Sequence, residues 1–132
     1  GLLSSCDGNE KPSAFPIQYS LVGYQYLFSP NQEFVSVKDS LYFYNLNEDG
    51  TFLKQIGKEI SRGTYDSRVD GENEFIELTF DDPQDNLIHS CYAGKEFYIM
   101  KEEKRIVGTW GDCDGPLLYF QGSSIIRLGL KF

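Results

Sequence analysis

The sequence predicts an all-β fold, either an antiparallel sandwich or a barrel, and three observations lead to this prediction. From Tyr19 onward, β-rich runs alternate with turn clusters at intervals of roughly 8–12 residues. Two of these clusters contain Asp-Gly, at Asp49-Gly50 and Asp70-Gly71, and glycine tolerates the positive φ angles that hairpin turns require. No segment has a helical apolar period strong enough to compete.

Five candidate strands lie in the first part of the chain. The cluster Asn47-Glu48-Asp49-Gly50 predicts a hairpin between the second and the third. In the fifth, Ile76, Leu78 and Phe80 share one face opposite polar residues, a pattern that places one face toward a core and one toward water. The five runs are Tyr19–Phe28, Ser40–Leu46, Thr51–Ile56, Ile60–Asp66 and Glu74–Phe80.

Five more runs complete a total of about ten candidates, of which about 8–10 are expected to be strands. Lys101-Glu102-Glu103-Lys104 is predicted as the charged tip of a hairpin, and Gly122-Ser123-Ser124 as a turn. Eight strands that close into a barrel would remove exposed edges and leave an interior that either side chains or a ligand could occupy. The runs are Leu87–Tyr92, Lys95–Met100, Arg105–Trp110, Leu117–Gln121 and Ile125–Leu130.

Length and charge narrow the function classes. A chain of 132 residues fits one domain with one core. The net charge of −8 and the scattered Lys and Arg residues exclude nucleic acid as an expected partner, because phosphate backbones would be repelled. No stretch approaches the roughly 20 apolar residues of a membrane-spanning helix, and no motif indicates a cofactor.

The N-terminal stretch Leu3-Ser4-Ser5-Cys6 resembles a lipobox, the end of a bacterial lipoprotein signal peptide. The resemblance implies a lipid on Cys6, which would anchor the protein to a membrane of the bacterial cell envelope, on the periplasmic or the surface-exposed side. We accordingly divide the chain into a lipobox remnant and flexible tether, residues 1–18, and a β domain, residues 19–132. The alternative is that Cys6 is an ordinary thiol in a frayed terminus.

The other two cysteines, Cys91 and Cys113, form an even pair in a compartment where disulfides persist. Either a bridge or two buried thiols is compatible with the sequence.

Several motifs resemble bacterial lipocalin-like lipoproteins in order and spacing, over roughly residues 20–120. Ser20–Tyr26 is similar to their LxGxWxL opening strand, although Tyr24 stands where the family usually has Trp. Phe43–Phe52 resembles their YxFxxDGTF hairpin, Arg62–Tyr65 their GTY strand, and Ile76–Phe80 the strand that follows. The resemblance implies an up-and-down β-barrel, but it names no ligand, because this fold hosts unrelated functions.

Catalytic and metal motifs are weak. His89 is the single histidine, so a metal cluster or a Ser-His-Asp arrangement has little to build on. A catalytic dyad of His89 and Cys91 would need a third residue to orient the histidine, and the sequence assigns none. Asp81–Asn86 and Asp112–Gly115 carry oxygen ligands that Ca²⁺ favours, but acidic turn residues are the preferred interpretation. We predict neither a metal site nor an enzyme.

The 20 aromatic residues are the remaining functional feature. They can fill a small barrel completely or line a pocket with rings and hydroxyls, and both alternatives remain open. We favour an envelope lipoprotein that binds a small apolar or amphipathic ligand; the alternative is a protein-interaction or scaffold module with a filled barrel. The residues predicted to face a pocket are Tyr24, Tyr26, Tyr42, Tyr44, Tyr65, Tyr98 and Trp110.

Overall fold

The strands form a closed antiparallel β-barrel. The computed structural model describes residues 16–27, 30, 32–113 and 115–124. Nine strands lie within them: β1 Ile17–Gln25, β2 Val35–Ser36, β3 Tyr42–Leu46, β4 Thr51–Ile56, β5 Glu59–Asp70, β6 Asn73–Phe80, β7 Lys95–Met100, β8 Arg105–Gly108 and β9 Leu117–Ser124.

Closure of the barrel comes from the pairing of its first and last strands. β9 runs antiparallel to β1, from Ser124 opposite Ile17 to Leu117 opposite Gln25. Each strand from β3 to β8 pairs with the next along the chain, and β3 also pairs with β1. β2 lies outside this cycle, paired only with β1. Eight strands therefore form the barrel, which confirms the predicted all-β, up-and-down architecture and is consistent with a lipocalin-like barrel.

The predicted hairpin turns are present. Between β3 and β4, Gly50 has φ of 89° and the Asp49 carboxylate accepts a bond from the Thr51 backbone N–H at 3.0 Å. Between β5 and β6, Gly71 has φ of 64°. A 3₁₀ helix, Glu102–Lys104, joins β7 to β8 at the predicted charged tip. The residue types of these turns therefore predicted their positions in the chain.

Some predictions of individual elements were wrong. Leu87–Tyr92 is an irregular loop between β6 and β7 rather than a strand. Gly122–Ser124 continues β9 rather than turning the chain, and β2 was not predicted. β1 begins at Ile17, two residues before the expected domain boundary. The last predicted strand, Ile125–Leu130, lies outside the described residues.

The core fills the interior of the barrel. Alternate side chains of each strand point inward, as Ile76, Leu78 and Phe80 do in β6. Gly63 in β5 allows β6 to approach closely, because a Cβ at this position would lie 2.0 Å from the Thr79 carbonyl oxygen. The buried cluster consists of Tyr19, Tyr42, Tyr44, Leu46, Phe52, Ile76, Leu78, Phe80, Tyr98, Ile106, Leu118 and Phe120.

The two ends of the barrel differ. The hairpin end carries the β3–β4, β5–β6 and β7–β8 turns together with the start of β1. The loop end carries the short β4–β5 turn, residues 57–58, and the three longer connections, residues 26–41, 81–94 and 109–116. A second 3₁₀ helix, Trp110–Cys113, lies within the last of these. Neither 3₁₀ helix of the described ranges is long enough to cross a membrane.

Candidate functional site

An ion pair is sealed inside the barrel. Lys54 in β4 and Glu96 in β7 point inward from strands that are not neighbours, and Lys54 Nζ lies 2.6 Å from Glu96 Oε2. Their side chains are 0% and 1% exposed. Burial lowers the pKa of the Lys54 ammonium, and the Glu96 carboxylate opposes part of that fall. Buried charges need partners of this kind, because desolvation of an isolated ion is prohibitive.

Three tyrosines surround the ion pair. The Tyr44 hydroxyl donates to Glu96 Oε1 at 2.5 Å and lies 2.5 Å from the Tyr98 hydroxyl. The rings of Tyr42 and Tyr44 have their centroids 5.1 and 5.2 Å from Lys54 Nζ, within the range of a cation–π contact. Burial, aided by the Glu96 charge, holds the pKa of all three phenols well above the usual value. Their hydroxyls therefore stay protonated and can donate.

The β6–β7 loop closes the barrel over this cluster. Lys54 Nζ donates to the Leu87 carbonyl at 2.5 Å, and the His89 backbone N–H donates to Glu96 Oε2 at 2.6 Å. At the edge of the loop, the Ser61 hydroxyl donates to the Asp85 carboxylate at 2.5 Å. The ion pair thus satisfies one acceptor and one donor of the loop backbone.

His89 and a disulfide join this loop to the β8–β9 connection. The His89 ring stacks on Trp110 with centroids 4.6 Å apart, and its Nδ1 lies 2.7 Å from the Tyr42 hydroxyl. Burial and the nearby Lys54 charge lower the pKa of His89 from 6.5 to about 4, so the ring that shares a hydrogen bond with the Tyr42 hydroxyl is neutral at pH 7. Cys91 is bridged to Cys113, the pairing that the sequence left open.

The residues predicted to line a pocket are not all in one place. Tyr42, Tyr44 and Tyr98 converge on the ion pair, and Trp110 reaches it through His89. The other three lie elsewhere. Tyr24 packs at the margin of the core, Tyr65 donates to the Asn47 carbonyl at the hairpin end, and Tyr26 is exposed beyond β1.

Sequence reasoning missed Lys54 and Glu96. A signal for both was present, because each occupies an inward position in an alternating strand. Lys54 lies between Phe52 and Ile56, and Glu96 precedes Tyr98 by two residues. A charged residue in register with buried apolar ones indicates an interior ion when a second such residue exists.

Exposed apolar side chains gather at the loop end. Eight large apolar side chains are exposed among the described residues, and seven of them lie toward the loop end. The eighth, Val69, lies toward the hairpin end. Leu41, 66% exposed, adjoins the β4–β5 turn, where its carbonyl accepts from the Gly57 N–H. We call the seven exposed residues at the loop end, Leu41 included, the apolar rim: Tyr26, Leu27, Phe34, Val35, Leu41, Ile60 and Tyr92.

A groove of about 800 Å³ opens at the hairpin end. It lies between the β5–β6 turn and the 3₁₀ helix Glu102–Lys104, and the side chains of Glu72, Glu74 and Lys101 are among those that line it. These side chains are exposed, so the groove presents a solvated charged surface rather than a built site.

Fold and site together define a small closed β-barrel whose interior is filled by rings around a buried ion pair. No protein-family model, curated protein or solved structure matches the chain. The predicted lipidation residue, Cys6, lies outside the described residues.

Proposed function

We propose that the protein is a non-enzymatic interaction module of the bacterial cell envelope, and that it docks on a partner protein through the apolar rim. One observation carries this proposal: exposed apolar side chains concentrate at the loop end, while the interior is already filled by the protein's own side chains. Exposed apolar side chains concentrated on one part of a domain commonly mark an interaction site. The filled-barrel alternative of the sequence prediction is therefore the function that the geometry supports best.

The charges around the rim indicate the chemistry of the partner. Acidic side chains outnumber basic ones in the described loop-end connections; Glu33, Asp39 and Asp112 are examples, and all three are exposed. Interfaces pair an apolar centre with complementary charge at the border. The partner surface is accordingly apolar and bordered by Lys or Arg.

A lipid on Cys6, which the lipobox resemblance implies, would be attached on the side of the chain that leads to β1. β1 begins at the hairpin end, so the anchor and the apolar rim belong to opposite ends of the barrel and the rim stays free for a partner protein. Mass spectrometry of the protein isolated from its own host tests the anchor. Acyl chains on Cys6 are expected, and an unmodified Cys6 would remove this part of the proposal.

Site-specific photocrosslinking in the host tests the docking surface. A photoreactive residue at Leu41 or at Tyr92 should capture the same envelope protein, because both positions belong to the rim. The same residue at Val69, which is also exposed but lies near the hairpin end, should not capture it. Equal capture from Val69, or different products from the two rim positions, would contradict the proposal.

A small apolar or amphipathic ligand in the interior is a second candidate function. It is favoured by the convergence of Lys54, Glu96, Tyr44 and Tyr98, since a few buried polar groups among rings are typical of ligand sites. Side chains occupy this space in the closed barrel, so a ligand could enter only after the loop at Leu87 had moved. Native mass spectrometry of protein from the host would reveal such a ligand as added mass.

A further inference from the structure

The β6–β7 loop has the dimensions of a lid. Fourteen residues separate Phe80 from Lys95, and they contain only turns, bends and one isolated bridge from Tyr92 to Lys95. Loops of this length without secondary structure are uncommon in compact domains and frequently serve as lids or binding loops. This loop covers the barrel at the loop end, and its own residue Leu87 is buried.

The seal under the loop is mixed: Leu87 is buried and Ile88 packs against the core, and the remaining contacts are polar. Leu87 and His89 bond to Lys54 and Glu96, and Asp85 bonds to Ser61. When an apolar seal opens, its uncovered surface loses hydrophobic free energy in proportion to area. Here opening would uncover an ion pair and tyrosine hydroxyls, which water solvates well, so that part of the cost of opening is recovered.

The strongest restraint on the loop is the disulfide. Cys91 lies near the C-terminal end of the loop, and its bridge to Cys113 joins it to the next connection. Cys91 is partly buried whereas Cys113 is exposed. A thiol can attack a disulfide only at a sulfur that it can reach, and Cys113 offers such a sulfur.

We propose that residues 81–94 form a redox-controlled lid, which the Cys91–Cys113 disulfide locks and a dithiol reductant of the envelope releases. Release uncovers Lys54 and Glu96 while the barrel stays folded. The lid also carries Tyr92, which packs edge-on against Phe97 at 5.0 Å. Reduction therefore also dismantles part of the apolar rim, and this consequence rests on the proposed docking function.

The chemical step is thiol–disulfide exchange. A thiolate of the reductant attacks Cys113 Sγ, the bond between the two cysteine sulfurs breaks, and Cys91 leaves as a thiolate that takes up a proton. The second thiol of the reductant then attacks the mixed disulfide and frees Cys113 as a thiol. Two electrons and two protons pass from the dithiol to the protein, and the reductant ends as a disulfide.

Acylation of Lys54 tests the lid directly. The full chain is treated with N-hydroxysuccinimidyl acetate before and after incubation with dithiothreitol, and the modified lysines are identified by peptide mass spectrometry. Lys54 should be protected in the oxidised protein. Its rate should rise about tenfold or more on reduction, because local opening of the loop then no longer has to carry the β8–β9 connection with it. Lys38 and Lys58, which are exposed, should react equally in both states.

Two further measurements separate lid opening from other outcomes. Hydrogen exchange should show lost protection at Leu87 and His89 with retained protection in β4 and β5. The variant C91S/C113S should behave like the reduced protein without any reductant. Lys54 that stays protected after the bridge is broken would overturn the proposal, and so would exposure of Lys54 with simultaneous loss of protection throughout the barrel.

These measurements need no partner protein. A lid that opens while photocrosslinking finds no common partner would remove the docking function alone, and a stable lid with rim-specific crosslinks would remove the lid alone.

Discussion

Lys54 Nζ and Glu96 Oε2 lie 2.6 Å apart inside the barrel, and neither side chain reaches solvent. The two residues bind strands β4 and β7 to each other across the interior and also hold the backbone of the β6–β7 loop. A buried pair of this kind adds little net stability compared with apolar packing, but the loss of one partner leaves the other charge uncompensated. Comparing the loss of one charge with the loss of both therefore measures what the pair contributes.

Removing the Glu96 charge alone should destabilise the fold strongly. In Glu96→Gln, the Lys54 ammonium remains buried without a carboxylate, so we expect the free energy of unfolding to fall by about 3–5 kcal/mol. Urea denaturation followed by tyrosine and tryptophan fluorescence measures this change.

The double variant Lys54→Met/Glu96→Gln removes both charges and should be more stable than Glu96→Gln alone. The amide oxygen introduced at position 96 can replace Oε2 and accept from the His89 N–H, and the amide NH2 then replaces Oε1 and can donate to the Tyr44 hydroxyl. Additive losses from Lys54→Met and Glu96→Gln would show that the two charges do not stabilise each other.

Stability should depend on the titration of His89. Its pKa is about 4 in the folded protein against 6.5 ordinarily, so the unfolded chain binds the proton more tightly. The contribution, about 2 kcal/mol once solvent screening of this half-buried ring is allowed for, is complete above pH 6.5 and is lost as the pH falls from 6.5 to 4. Denaturation midpoints at a series of pH values in this window measure the slope.

His89→Asn is the matched control for this slope. The Asn side-chain amide can accept from or donate to the Tyr42 hydroxyl in place of Nδ1, but it does not titrate. The variant should lose the pH dependence between 6.5 and 4.5, whereas Glu77 and Asp49, whose pKa values hydrogen bonds lower from 4.5 and 3.8, keep their contributions to the slope below that window. An unchanged slope in His89→Asn would exclude His89 as its source.

Gly63→Ala should weaken the pairing of β5 with β6. The added methyl group would lie 2.0 Å from the Thr79 carbonyl oxygen and 2.7 Å from the Phe52 ring, and backbone cannot give way as a flexible side chain can. We expect a loss of about 3 kcal/mol or more, measured by thermal unfolding. Gly57→Asn is the control, because φ of 62° with open space suits Asn; a loss as large there would refute the steric explanation.

Leu41→Ser should leave stability unchanged within about 0.5 kcal/mol, because an exposed side chain contributes little to folding. It should nevertheless reduce photocrosslinking from Tyr92, since both residues belong to the apolar rim. Val69→Ser should alter neither quantity. If Leu41→Ser instead lowered the free energy of unfolding, the Leu41 side chain would contribute to folding rather than only to a docking surface.

Local signals predicted much of the barrel. The Asp-Gly turn at Gly50 and the alternation of Ile76, Leu78 and Phe80 depend on backbone conformation and on period-two geometry, which neighbouring residues determine. The run Leu87–Tyr92 was misassigned because apolar residues also occur in a loop that packs on a core. Its backbone bonds to Lys54 and Glu96, and such distant partners leave no mark on the local pattern.

The sequence also could not predict which side chains of β1 point into the barrel. Gly23 pairs with Tyr119 and Leu21 with Phe120, so that the register shifts by one residue at Val22. Side chains beyond the shift change face, which brings Tyr24 to the core although Tyr19 is also buried. A period counted along the sequence cannot detect this change.

The sequence by itself determined the all-β class, the hairpin turns and the amphipathic strands, because these follow from short-range conformational preferences. Only the tertiary structure decided that a lysine and a glutamate meet in the interior, that a loop closes over them, and that the apolar rim forms at one end. Each of these depends on residues brought together by barrel closure, and closure is a property of the whole chain.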